Sequence, residues 1–85
     1  MKNITISVIQ FSQYHQIEPQ FVIDLYQNGL VVLEKRNHEY FIEEENLTHV
    51  ERFIKFHYDL GVNLEGLEVI HHLLNQIEVL QKQIK

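Results

Sequence analysis

The residues in this chain best equipped for chemistry are six histidines, two serines and a run of three glutamates. Two histidines four apart on a helix would share one face, a spacing that suits a metal ion. No pair has it: His49 and His57 are eight apart, and His71 and His72 are adjacent, so their side chains diverge by about 100° on a helix. His57 falls in the middle of an apolar helical arc and reads as a hydrogen-bonded core residue, whereas His71 and His72 read as solvated. Nucleophilic catalysis needs a hydroxyl, a base and a group to orient the base. Ser7 reads as a helix cap, and Ser12 has His15 at helical spacing but no evident carboxylate behind it. Glu43, Glu44 and Glu45 resemble an acid–base cluster, yet a helix N-terminus, where negative charge is favourable, accounts for them. The expectation is a protein that is not an enzyme, with no metal site and no cofactor.

Composition narrows the class further. Eighty-five residues with 45% hydrophobic content suit one compact domain. Twelve acidic side chains against seven basic ones give a net charge of −5, which repels DNA and anionic membranes unless the cations gather on one face. Cysteine is absent, which removes disulfides and thiolate ligands. The start, MKNITISVIQF, has neither a cleavage site nor an apolar run long enough to span a membrane. These features predict a soluble, unprocessed, cytoplasmic protein.

The elements follow from local signals. Ser7-Val8-Ile9-Gln10 matches a capping box, with Ile6 and Phe11 at the staple positions, and predicts a helix over 8–15. Gln16-Ile17-Glu18 forms a turn, Pro19 opens a second helix at its first position, and Gly29 ends it. Val31 to Leu33 and Tyr40 to Ile42 are strand-forming runs on either side of a polar tip, Lys35-Arg36-Asn37-His38, and predict a β-hairpin. A third helix is expected from Glu43 to Gly61, with Leu47, Val50, Phe53, Ile54, Phe56, Tyr58 and Leu60 on an apolar arc of roughly 200°. Asn63 is a good N-cap for a fourth helix reaching the C-terminus, about 22 residues and roughly 33 Å long at 1.5 Å per residue. Leu67, Ile70, Leu74, Ile77 and Ile84 alternate along it as in a heptad seam, with Gln81 as a polar seam residue that fixes register; this predicts a homodimer through the C-terminal helix. Gly66 is expected to let the fourth helix pass close to the third. The fold class is therefore mainly α: a winged helix-turn-helix of two short helices and a β-hairpin wing, followed by two longer helices. A single domain, 1–85, divides into 1–42, the third helix over 43–61 and the C-terminal helix over 63–85.

This order, together with the segments EPQFVIDLYQNGLV and DLGVNLEGLEVIHHLLNQIEVLQ, resembles the MerR-type winged-helix superfamily, and within it the chaperone modulator CbpM family. The Leu-Gly-Val-Asn-Leu run followed by glycine is similar to the link between that family's third and fourth helices, where MerR regulators usually have a serine-containing link and then Glu-Glu. The likeness extends from Ile6 to about Ile84. It implies a protein partner: CbpM proteins bind the J-domain of a DnaJ/CbpA-type co-chaperone and restrain its stimulation of DnaK.

The second helix bears on that implication. Phe21, Val22, Leu25 and Tyr26 group on one side of the wheel, leaving Gln20, Ile23, Asp24 and Gln27 outward. The DNA-reading helix of MerR-like proteins typically carries arginine near the positions of Gln20 and Ile23 and tyrosine near Asp24, so this surface departs from that pattern. Strong DNA binders make about 6 to 10 phosphate contacts, and those contacts need cations. The expected partner surface consists of Gln20, Ile23, Asp24 and Gln27 with Glu34 and Glu39 nearby, Ile23 serving as an apolar anchor and the carboxylates meeting the basic second helix of a J-domain. Nucleic acid and membrane are not expected partners. The alternatives are a MerR-type DNA-binding transcriptional regulator that gathers cations through its wing and a dimer, and a purely structural dimerisation module.

Overall fold

The computed structural model describes residues 4–84, with the side chain of Ile84 outside the described set. Its order is β1 (Thr5–Ser7), α1 (Val8–His15), α2 (Pro19–Gln27), β2 (Glu34–Arg36), β3 (Glu39–Glu43), a 3-10 turn (Glu44–Asn46), α3 (Leu47–Ile54), a π-helical segment (Lys55–Asp59) and α4 (Leu64–Ile84). The molecule is mainly helical, with a small antiparallel sheet ordered β1-β3-β2 and the winged-helix arrangement expected. Two compact units are present, Met1–Arg52 and Phe53–Lys85.

In the first unit, Ser7 Oγ accepts from Gln10 N–H at 3.0 Å and starts α1 as a cap should. Gln16, at φ 58°, ends that helix: Ile17 N–H donates to Ser12 O at 3.0 Å and Gln16 N–H to Gln13 O at 3.2 Å. The helix α2 opens on Pro19 and closes in the same way, with Gly29 at φ 75°, Leu30 N–H donating to Leu25 O at 2.9 Å and Gly29 N–H to Tyr26 O at 3.0 Å. Glycine removes the steric cost of that left-handed residue at the end of α2; Gln16 bears it at the end of α1. Phe21, Val22 and Leu25 are buried together with Val8, Phe11 and Ile42, so the apolar face of α2 points inward as the wheel expects.

Three features of this unit differ from the sequence expectation. A strand, β1, was not foreseen; Thr5, Ile6 and Ser7 pair with Glu43, Ile42 and Phe41. The hairpin ladder begins at Glu34 rather than Val31, and its tip is only Asn37-His38, both at positive φ, the signature of a two-residue turn with mirror-image geometry. Val31 and Leu33 are buried while Val32 is 64% exposed, so their alternation is real, but it falls on a bend and an irregular segment outside the ladder. The third helix begins at Leu47 rather than Glu43, because Glu43 is held in the ladder opposite Thr5; Glu44 and Glu45 stand in the turn before it, where their charge still favours the helix N-terminus.

In the second unit the wheel loses phase. From Lys55 to Asp59 the backbone winds as a π-helix, whose wider turn rotates the later side chains away from the arc, and the segment closes with Gly61 at φ 71° and Val62 N–H donating to Phe56 O at 3.0 Å. Tyr58 is 45% and Leu60 70% exposed, against the expectation that both are core. His57 Nδ1 lies 2.8 Å from Val62 O, in the hydrogen-bonded role expected of it. Asn63 Oδ1 accepts from Gly66 N–H at 2.8 Å and caps α4. Gly66 is needed for the turn before α4 itself, since an added Cβ would stand 2.7 Å from Val62 Cγ1 and 3.2 Å from Asn63 Oδ1; this replaces the expected helix–helix approach. His71 is half-buried with its ring 6.0 Å from that of Phe53, so only His72 of the pair is exposed.

Candidate functional site

The winged unit brings the N-terminal turns of α1 and α2 together with the hairpin. Between them lies a cleft of about 190 Å³, walled by Val8 and Ile9 of α1, Pro19 and Ile23 of α2, and Glu39 and Tyr40 of β3, with Ser7 and the hairpin's His38 at its border. The cleft exists because β1 pairs with β3, which carries the start of α1 to the hairpin. Tyr40 is set in the wall by the ring of Tyr26, 5.4 Å away.

Of the residues expected to meet a partner, Ile23 and Glu39 share this cleft. Ile23 is half-buried in its wall. Gln20 and Asp24 are joined to each other, Gln20 Nε2 donating to Asp24 Oδ1 at 3.0 Å, and Gln27 is exposed at the end of α2. Glu34 is committed elsewhere, to Arg36 Nε at 3.1 Å. Val8, Ile9, Pro19 and Tyr40 were not foreseen in the site. The alternation of Ile4-Thr5-Ile6-Ser7 is the signal that could have found β1 and, with it, their proximity.

The electrostatics of the same surface turn on two side chains. No lysine or arginine lies on α2, so the hairpin supplies Lys35 and Arg36. Opposed residues of an antiparallel pair share a face, which puts Glu34, Arg36, Glu39 and Phe41 on one side and Lys35 with Tyr40 on the other. Arg36 folds back: its guanidinium carbon stands 4.1 Å from the Phe41 ring centroid, Nη2 donates to Thr5 Oγ1 at 2.8 Å, and Nε meets Glu34. Lys35 Nζ lies 5.6 Å from the Tyr40 ring centroid. Each such contact is worth no more than about 1 kcal/mol at an exposed site, but together they orient both cations within the chain.

Along α4, Leu67 is 0% exposed in the single chain, Ile70 and Leu74 are half-buried, Ile77 is 49% exposed and Gln81 is exposed. Leu67 is therefore out of reach of a second copy. The exposed apolar residues of this helix are Val69, Leu73, Ile77, Val79 and Leu80. Among the described residues there is no group of three or more His, Asp or Glu side chains able to hold a metal ion, and no helix is long and apolar enough to cross a membrane.

Comparison with known proteins agrees with this architecture. No curated protein and no solved structure matches the chain. The family model described as MerR HTH family regulatory protein matches residues 6–85. Since that match takes in both helices of the helix-turn-helix, the hairpin, α3 and α4, the chain belongs to this MerR-like family of regulatory proteins.

Proposed function

We propose that this chain is a chaperone modulator of the CbpM type: a non-enzymatic cytoplasmic protein that binds the J-domain of a DnaJ/CbpA-type co-chaperone and blocks its stimulation of DnaK. The observation that carries the reading is the state of the winged surface. Its would-be reading helix holds no cation, and its hairpin cations are turned onto Glu34, Thr5, Phe41 and Tyr40. Residues 1–52 carry eight carboxylates and four lysines or arginines. A net negative unit of this kind attracts a basic helix and repels a phosphate backbone. Inhibition is by occlusion, the modulator covering J-domain surface that must dock on the DnaK-type ATPase.

The family description favours a second reading, a DNA-binding transcriptional regulator. Two experiments separate them. Titration calorimetry with the J-domains of the host is expected to give a saturable, stoichiometric complex, and mobility shift on random duplex at low salt is expected to give little or none. Salt-sensitive duplex binding with no J-domain complex would overturn the proposal.

A further inference from the structure

We propose that the cleft between α1, α2 and the hairpin is a docking pocket for one aliphatic or aromatic side chain carried on a cationic segment of a protein partner. The inference rests on the protein-partner reading above and reverses the expected role of Ile23, which receives the anchor instead of supplying it.

Size fixes the kind of guest. An apolar cavity of about 150 Å³ accepts a benzene ring, so about 190 Å³ suits a single side chain and is too small for a whole helix. The walls are also held in place before any partner arrives. The Ser7 cap sets the first turn of α1, Pro19 sets the first turn of α2, the two-residue turn at Asn37 and His38 sets the hairpin, and Tyr26 backs Tyr40. A preformed apolar pocket spares the ordering cost of binding, which is why buried anchors dominate protein interfaces.

Charge fixes what flanks the guest. Glu39 and His38 stand in the wall, Glu18 and Asp24 adjoin the wall residues Pro19 and Ile23 in sequence, and Lys35 Nζ lies 5.6 Å from the ring of Tyr40, so three carboxylates stand against one lysine. Carboxylates around an apolar pocket favour an anchor bordered by lysine or arginine and penalise one bordered by acids. The same carboxylates disfavour a nucleic acid, whose phosphates would sit beside them.

The test uses the full chain with isotope-labelled isoleucine and valine methyls, titrated with three blocked tripeptides, Lys-Leu-Lys, Glu-Leu-Glu and Lys-Ala-Lys, up to millimolar concentration. The Ile23 and Val8 methyls should shift with Lys-Leu-Lys, roughly fivefold more tightly than with Glu-Leu-Glu, and remain still with Lys-Ala-Lys. Ile9→Trp, which adds an indole at an exposed wall residue, should abolish the shifts, and Glu39→Lys should remove the charge preference. No shift at these methyls, or equal response to the acidic peptide, overturns the pocket. So do shifts produced only by random duplex or by raising the concentration of the chain itself, which would assign the cleft to DNA or to a second copy. J-domain binding untouched by Ile9→Trp and Glu39→Lys sinks the pocket and spares the partner, whereas tripeptide occupancy without any J-domain complex spares the pocket and sinks the partner.

Discussion

Arg36 and Thr5, thirty-one positions apart in sequence, are joined by a 2.8 Å hydrogen bond from Nη2 to Oγ1. That bond ties the hairpin to the first strand, and Glu34 and Phe41 also contact the guanidinium, whose side chain stays 48% exposed.

Releasing this arginine should restore little DNA binding. Thr5→Val combined with Glu34→Gln frees the guanidinium and removes one carboxylate, yet one additional phosphate contact steepens the dependence of log K on log salt by only about 0.9. The measurement is a salt titration of duplex binding by fluorescence anisotropy. A slope that rises by several units would mean that a latent cationic surface exists and that Arg36 was its latch.

A second prediction concerns Ser12, whose side chain is fully buried and whose Oγ has no hydrogen-bond partner. A hydroxyl desolvated without compensation costs about 1–3 kcal/mol, and alanine is the better helix former. Ser12→Ala should therefore raise the urea midpoint, by a stability gain of about 1 kcal/mol. A loss of stability would mean that the hydroxyl has a role in the folded state.

Much of this architecture was legible because its signals are local. The Ser7 cap, the Pro19 start, the Gly29 stop and the Asn63 cap each act within one turn of the chain, and the structure has all four where the sequence placed them. The illegible part depends on partners distant in sequence or on a change of period. The ladder from β1 to β3 joins residues more than thirty positions apart, and it alone moves Glu43 into a strand and builds the cleft. The π-helical turn at Lys55–Asp59 defeats a wheel drawn at constant angle, so Tyr58 and Leu60 were misplaced. Within the candidate site, sequence singled out Ile23 and Glu39 but could not see that Ile23 forms a wall.

The turn before α4 gives a third prediction, one of coupling. Glycine inside a helix normally costs about 1 kcal/mol relative to alanine, but at Gly66 the added methyl meets Val62 Cγ1 at 2.7 Å, on a side chain with little rotamer freedom. Gly66→Ala alone should leave stability unchanged or lower it. In a Val62→Ala background the obstacle is gone, and the same substitution should stabilise by up to about 1 kcal/mol. Thermal melts of the four proteins in this cycle decide it, and identical effects in both backgrounds would remove Val62 as the reason for the glycine.

The last prediction concerns the expected homodimer. With Leu67 buried in the single chain, the exposed apolar residues that line up for a second copy are Val69, Leu73, Ile77 and Leu80, which succeed one another at four, four and three positions and are 49–59% exposed, with Val79 beside them. That is a seam of eleven-residue spacing displaced from the heptad one read in sequence, and Gln81 stands at its edge. Placing glutamate at both Leu73 and Ile77 puts charge into the middle of such a seam and should weaken self-association at least about a hundredfold, some 3 kcal/mol. Sedimentation velocity over a micromolar concentration series reads the effect directly. A wild-type chain that stays monomeric throughout would remove the homodimer, while a dimer indifferent to both glutamates would move its interface off α4.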